Sequence, residues 1–285
     1  MHIIYTCSPD RELELFTSIG SLFSSNTKFE RITIFLVGTA PKSWKKITDK
    51  RIHVVEVDDI GIGFWMINKA HFCASEEEEI VFIDTDTLVL KPLNSIGSGV
   101  KGDIIGRTTS HYEQASWPKQ AWQEYLDKYG ASTYFPYLNT GLLGFRNSAH
   151  QRLAEPWKKI TRELLVDENF PFGPRHHANQ LAFSLAAGKL GISYGLLCAN
   201  EHAYGWEDAP FDDSFVYHTG GPGFIDRAMS IHRKIKVLDK GPQEFRQPIE
   251  RHYFQQQAKE GLLGLKNLGV RFTKDSVKRT LRISK

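Results

Sequence analysis

The sequence predicts an α/β protein built on a mostly parallel, doubly wound central sheet with flanking helices. Three observations carry that expectation. Short apolar runs rich in β-branched residues alternate with helix-periodic segments over roughly the first 90 residues. The run Ile80-Val81-Phe82-Ile83 contains no polar residue, as in a strand buried on both faces. It then meets Asp84-Thr85-Asp86, two carboxylates one residue apart, which such a strand excludes until it leaves the sheet. Open α/β sheets bind ligands at strand ends of this kind.

The elements follow in order. Residues 3–7 read as a first buried strand, broken by Ser8-Pro9-Asp10, with Ser8 or Asp10 placed to cap the next helix. Leu13, Phe16, Thr17, Gly20, Leu22 and Phe23 recur at helical spacing. Residues 32–37 and 52–57 are a second and a third strand. Residues 64–75 read as a helix with Phe64, Met66, Ile67 and Phe72 facing inward, and the acidic run 76–79 as a solvated turn.

Beyond Pro92, residues 103–106 form a short strand. Tyr112, Trp117, Trp122, Tyr125, Tyr129 and Tyr134 make an aromatic stretch suited to core packing or to stacking on sugar faces. Residues 137–145 form a strand interrupted by Asn139, whose carboxamide needs partners that a ligand could supply. Helices follow over 149–165, anchored by Trp157, and from His177 to near Gly188. The polar start of the second offers amides to a ligand. Residues 192–198 are a strand, 200–213 a loop, and 215–218 a strand ending on His218. Gly220, Gly221 and Gly223 then let the backbone approach a ligand closely. The main domain is expected over 1–230, with a C-terminal helical and basic extension over 231–285.

The 285 residues, 41% hydrophobic and 24% charged, are those of an ordinary globular protein with ample length for a core. A formal net charge of +3 does not mark a nucleic-acid binder. No GxGxxG turn or GxxxxGK[ST] loop occurs. Cys7, Cys73 and Cys198 lie far apart and draw no disulfide framework, which suits a reduced, cytoplasmic setting. The start, Met1-His2-Ile3-Ile4-Tyr5-Thr6, reads as a strand rather than a signal peptide, and no stretch approaches the ~20 apolar residues of a membrane span. From Lys266 onward seven basic residues face Asp275 alone, interspersed with apolar ones. That end reads either as an amphipathic contact with the inner face of a membrane or as a solvated tail or a helix packed on its own domain.

Asp84 and Asp86, at i and i+2 of an extended segment, would point to one side. Two clustered carboxylates repel, and a divalent cation with a preference for hard oxygen ligands, Mg2+ or Mn2+, relieves that repulsion. A strand running into Asp-x-Asp also opens phosphatases of the haloacid-dehalogenase type, but their pattern DxDx[TV] meets Leu88 here and three strands precede it.

An ordered set of motifs extends the pair: residues 3–7 with Ser18-Ile19-Gly20-Ser21-Leu22, Asn68-Lys69-Ala70-His71-Phe72, the stretch from Asp84 to Leu93, Asn139-Thr140-Gly141, Asn179-Gln180, and His218-Thr219-Gly220-Gly221-Pro222. In this order they resemble the GT-A (nucleotide-diphospho-sugar transferase) fold, and within it glycosyltransferase family 8, the glycogenin and lipopolysaccharide galactosyl- and glucosyltransferase type. The resemblance covers roughly residues 1 to 225. It implies transfer of a sugar, with retention, from a nucleotide diphosphate sugar, a UDP-sugar foremost, to a hydroxyl of a glycan, glycolipid or other acceptor. It further implies Asp84, Asp86 and His218 as ligands of Mn2+ or Mg2+. Donor contacts are implied for Tyr5, Thr6, Lys69, Asp84, Thr85, Asp86, Asn139, Gly141 and Gly221, and catalytic positions for Gln180 and Asn179. Two departures stand out. Asn179 replaces the family's acidic residue, and Phe224 stands where a lysine serves the diphosphate, with Arg227 one turn on. A non-catalytic nucleotide-sugar binding module is the alternative those departures leave open.

Overall fold

The computed structural model describes residues 1–267 except 43, 45, 46, 62, 208–210, 221 and 222. Its first strand, β1 (His2–Cys7), is buried along its whole length. Alternate side chains serve two cores: Ile3, Tyr5 and Cys7 enter one, Ile4 the other. A 3-10 turn (Pro9–Arg11) separates β1 from helix α1 (Glu12–Ser24), so neither Ser8 nor Asp10 caps α1 through its side chain. α1 returns the chain to β2 (Arg31–Val37), parallel to β1. The edge strand β3 (Ile52–Val57) follows, parallel again, with residues 53–56 exposed.

The segment Trp65–Ala74 is a 3-10 helix, not the α-helix expected from its sequence. With three residues per turn, Ile67, Ala70 and Cys73 fall in one buried row, and Lys69 and Phe72 in another. Asn68 fixes this winding. Its Oδ1 accepts from Ile60 N at 2.9 Å and its Nδ2 donates to Asp59 Oδ1 at 2.8 Å.

β4 (Ile80–Ile83) pairs with β1 in parallel. β5 (Thr87–Val89), β6 (Ile104–Thr108), the short α2 (Ser110–Glu113), α3 (Lys119–Lys128) and β7 (Leu138–Phe145) come next. They are followed by α4 (Ala149–Val166), α5 (Ala178–Lys189), β8 (Tyr194–Leu196), β9 (His202–Tyr204), β10 (Val216–His218), α6 (Phe224–Ile235) and α7 (Gln243–Asn267). β9 lies inside the stretch expected to be loop.

The seven-stranded sheet has the order β3-β2-β1-β4-β7-β6-β8, and only β7 runs against its neighbours. A second sheet, β5-β10-β9, stands at the end of β4. On one face of the large sheet α4 buries Leu153, Trp157, Ile160 and Leu164, a helical repeat, against α5. Trp157 Nε1 donates to Asn179 O at 2.8 Å, tying the two helices. The aromatic stretch is mostly core on this side: Trp117, Trp122 and Tyr125 pack around Phe172. On the other face lie α1, α6 and α7. α6 runs through residue 230, and α7 sets Phe245 against Phe16 of α1 with ring centroids 5.1 Å apart. The basic end beyond Asn267 lies outside the described residues. Among the described residues no helix is long and apolar enough to cross a membrane.

Candidate active site

The chain leaves the buried strand β4 at Ile83 and turns through Asp84-Thr85-Asp86 before β5. Thr87 Oγ1 closes this turn by donating to Asp84 O at 2.8 Å. The two carboxylates are therefore held by a turn, not by an extended segment. The antiparallel register of β10 on β5 sets His218 opposite Thr87. Thr219 N then donates to Asp86 O at 3.2 Å. One ligand atom from each of Asp84, Asp86 and His218 lies within 4.8 Å of the others.

β7 supports this cluster from the side. Asp84 N donates to Gly141 O at 2.8 Å, and Gly141 N to Asn139 Oδ1 at 2.7 Å. A Cβ on Gly141 would lie 2.3 Å from His218 Cε1 and 2.4 Å from its Nδ1, so the imidazole sits where only glycine leaves room. Lys69, 5% exposed, places Nζ 2.5 Å from Asp84 Oδ2 and 3.5 Å from Thr140 Oγ1. His218 Nε2 lies 3.1 Å from Asp86 Oδ1. Behind it the ring of His202 lies parallel at 5.6 Å.

The electrostatics match two crowded carboxylates. Burial pushes the Asp84 carboxyl up; Lys69 opposes this and the nearby Asp86 adds to it. Burial would raise Asp86 too, but the charge and hydrogen bond of His218 hold it well below the usual carboxylate range. Burial lowers and Asp86 raises His218, and the carboxylate prevails. His218 Nδ1 and Thr6 Oγ1 are buried with no protein partner. Two carboxylates and one imidazole, convergent and mutually repulsive at the acids, form a donor set that fits Mn2+ or Mg2+.

These groups open into a cleft of about 640 Å3. Of the residues singled out in the sequence, Thr6, Lys69, Asp84, Thr85, Asp86, Asn139, Gln180 and His218 line it. Gln180 Oε1 accepts from Thr140 N at 3.0 Å, which sets α5 against β7 beside Asn139. Tyr5 does not line the cleft: its side chain is fully buried and bonded to Ser18 Oγ at 3.2 Å. Asn179 does not line it either. Its carboxamide is buried toward α4, where Thr161 Oγ1 donates to Oδ1 at 3.4 Å. Gly221 lies outside the described residues. Phe224 is core, whereas Arg227 lines the cleft and donates to Gly220 O at 2.7 Å. A second cavity, about 330 Å3, is lined by Val81, Ile105, Leu142 and Leu197 among others and holds none of these groups.

Several further residues line or support the cleft. Trp206 stacks on Tyr204 at 4.6 Å, meets His218 edge-on at 5.2 Å, and donates from Nε1 to Ser110 Oγ at 3.0 Å. Arg107 secures that segment. It donates to His202 O at 3.0 Å and Glu207 Oε2 at 2.9 Å, and lies over the Tyr204 ring. Gly220, at φ 59°, passes so close to Trp206 that a Cβ would meet the indole at 2.8 Å. Trp65, Met66, His111, His176 and His177 complete other parts of the wall. They come from the 3-10 helix Trp65–Ala74, from α2 and from the 3-10 segment Arg175–His177.

No protein-family model and no curated protein matches this sequence. Solved structures do. The galactosyltransferase LgtC, in complex with donor and acceptor sugar analogs, superposes with a TM-score of 0.61 over 86% of this chain and 99% of that one, at 13% identity. The bifunctional glycosyltransferase WbbM gives 0.55 over 85% of this chain and 51% of its own, at 10% identity. The apo glycosyltransferase GlyE of Streptococcus pneumoniae TIGR4 gives 0.52 over 78% and 54%, at 13% identity. The chain has the GT-A fold. In this GT-A chain the Asp84–Asp86 turn stands at the C-terminal end of a central strand, where the sequence predicts a ligand site.

Proposed function

We propose that this protein is a metal-dependent, family 8-like glycosyltransferase that moves a sugar from a nucleotide diphosphate sugar, foremost a UDP-sugar, to an acceptor hydroxyl. The observation that carries the reading is the convergence of Asp84, Asp86 and His218 within 4.8 Å inside the cleft. Asp84, Asp86 and His218 would hold Mn2+ or Mg2+. Such an ion, when bound, supplies Lewis-acid stabilisation of the departing diphosphate. Lys69 adds a positive charge in a largely water-excluded position, and Arg227 a second one nearby. Asn139 and Gln180, both lining the cleft, orient the donor sugar and the reacting centre. Thr6, buried and without a protein partner for its hydroxyl, offers a hydrogen bond to the nucleotide.

Retention of configuration belongs to this reading through the resemblance to family 8, and the described lining bears only on how it would be reached. Among the described lining residues the only carboxylates are Asp84 and Asp86, both engaged with Lys69 and His218. A double displacement needs a further carboxylate as nucleophile. A same-face departure and attack, with Lys69 balancing the leaving charge, uses only the residues present. The shared fold of the glycosyltransferases above favours transfer over the phosphatase reading. Gln180 and Lys69 in the cleft favour it over a binding module.

The test is a screen of UDP-, GDP- and CMP-sugars with Mn2+, read as release of free sugar in the absence of acceptor. Slow release from one nucleotide sugar, abolished by chelation, is expected. Rapid phosphate release from a simple phosphate ester, with no nucleotide sugar turned over, would contradict the reading.

A further inference from the structure

Beyond the Asp84–Asp86–His218 cluster, the same cleft is lined by three more histidines: His111, His176 and His177. His111 comes from α2, and the other two from the 3-10 segment Arg175–His177 that leads into α5. The ring centroids of His176 and His177 are 4.3 Å apart, and those of His111 and His177 5.6 Å. Two elements remote in sequence therefore gather imidazoles at one place. Burial, and then the neighbouring His176 and His111, hold His177 at about 4.

The charge of the whole cleft makes this cluster informative. Its described lining carries two carboxylates, Asp84 and Asp86, and three strong cations, Arg11, Lys69 and Arg227. Arg11 is already bound by Glu14, and Lys69 pairs with Asp84 as long as no cation takes up the two aspartates. A divalent ion would balance the two aspartates. Lys69 and Arg227 then match the two phosphates of a nucleoside diphosphate. That leaves three imidazoles on the cleft wall with no anion assigned to them, the His177 ring also bonded to the Phe172 backbone. Imidazole donates an N–H when neutral and takes up a proton when an anion approaches, so it suits an oxyanion better than a bare hydroxyl.

Resting on the transferase reading, we propose that His111, His176 and His177 form an oxyanion subsite for the reacting sugars. The oxyanion is either a phosphate monoester on the acceptor or a carboxylate on the donor sugar. In both cases the enzyme selects a charged sugar over its neutral counterpart. The three histidines are specificity residues, and the bond-making groups remain those of the metal cluster.

The experiment uses the full chain with Mg2+ and UDP, followed by the histidine side-chain 1H–15N signals. Glucose 6-phosphate is titrated against glucose. The expected result is that the phosphate ester moves the His176 and His177 signals at concentrations at least about tenfold below any effect of glucose, the scale of one charge-assisted hydrogen bond. The buried His2 and His150 serve as internal references for an intact fold. The double variant His176→Asn, His177→Asn, with its reference signals in place, loses that preference. The donor arm compares UDP-glucuronic acid with UDP-glucose. A preference for the uronate that vanishes in the double variant assigns the oxyanion to the donor. Equal binding of charged and neutral sugars in both arms, or a preference that survives the double variant, overturns the subsite. Failure of UDP to bind with Mg2+ counts against the transferase reading alone. In that case the response of His176 and His177 to glucose 6-phosphate without nucleotide still decides the proposal.

Discussion

Gly141 is the residue on which the Asp84–Asp86–His218 cluster closes, because its carbonyl accepts from Asp84 N and its missing side chain leaves room for the His218 ring. Gly141→Ala drives a methyl into an imidazole whose other side faces His202. Overpacking of this kind costs about 1–3 kcal/mol. The expected outcome is a folded protein whose Mn2+-dependent UDP affinity falls at least about tenfold, measured by calorimetry; wild-type affinity would show that His218 is no ligand. A second residue-scale outcome concerns pH. His177 is held at about 4, and burial also lowers His150 below its ordinary 6.5. As pH falls, the unfolded chain takes up these protons first. Their contribution to stability is whole above pH 6.5 and is lost as pH falls toward about 4. The urea midpoint should fall through that window, and a midpoint independent of pH would contradict it. Asp84, Asp86, Lys69, Gln180 and His218 were legible because their order along the chain follows a motif. Trp206 was not, since it reaches the cleft from a 3-10 turn inside a stretch with no apolar period.

The strand order was readable where apolar runs alternate with helices, as from β1 to β4. It was hidden in β9, where His202-Ala203-Tyr204 shows no apolar run yet gains its pairing from β10. The 3-10 winding of Trp65–Ala74 was also hidden, because Asn68 imposes it through bonds to residues 59 and 60. The exposed face of β3 resembles its buried neighbour β2 in composition, and only position at the sheet edge separates them. α7 offers an element-scale outcome. Phe245 is fully buried against Phe16 of α1, the helix that also supplies Ser18 and Ser21 to the site's supporting strands. Phe245→Ala should lower stability by about 3–5 kcal/mol, read as a fall in the denaturation midpoint. A change under about 0.5 kcal/mol would mean that α7 contributes nothing to the core of the fold.

At the scale of the molecule, a sheet and a smaller three-stranded sheet meet where Asp84, Asp86 and His218 leave their strands. β4 and β5 flank the turn, β10 pairs with β5, and β7 pairs with β4, so one topological junction brings four strands to one cluster. Helices pack on both faces of the large sheet, and short helical segments and turns beside the junction shape much of the cleft. This division explains why the fold and the convergence of Asp84, Asp86 and His218 could be read from sequence, and why most of the cleft wall could not. The central claim is that the cluster binds the nucleotide through a divalent ion. The most direct measurement is calorimetric titration of UDP into the wild-type chain with Mn2+, the same chain with EDTA, and Asp86→Ala with Mn2+. The expected result is saturable binding in the first and an affinity at least about 100-fold weaker in the other two. Equal affinity in all three would contradict it.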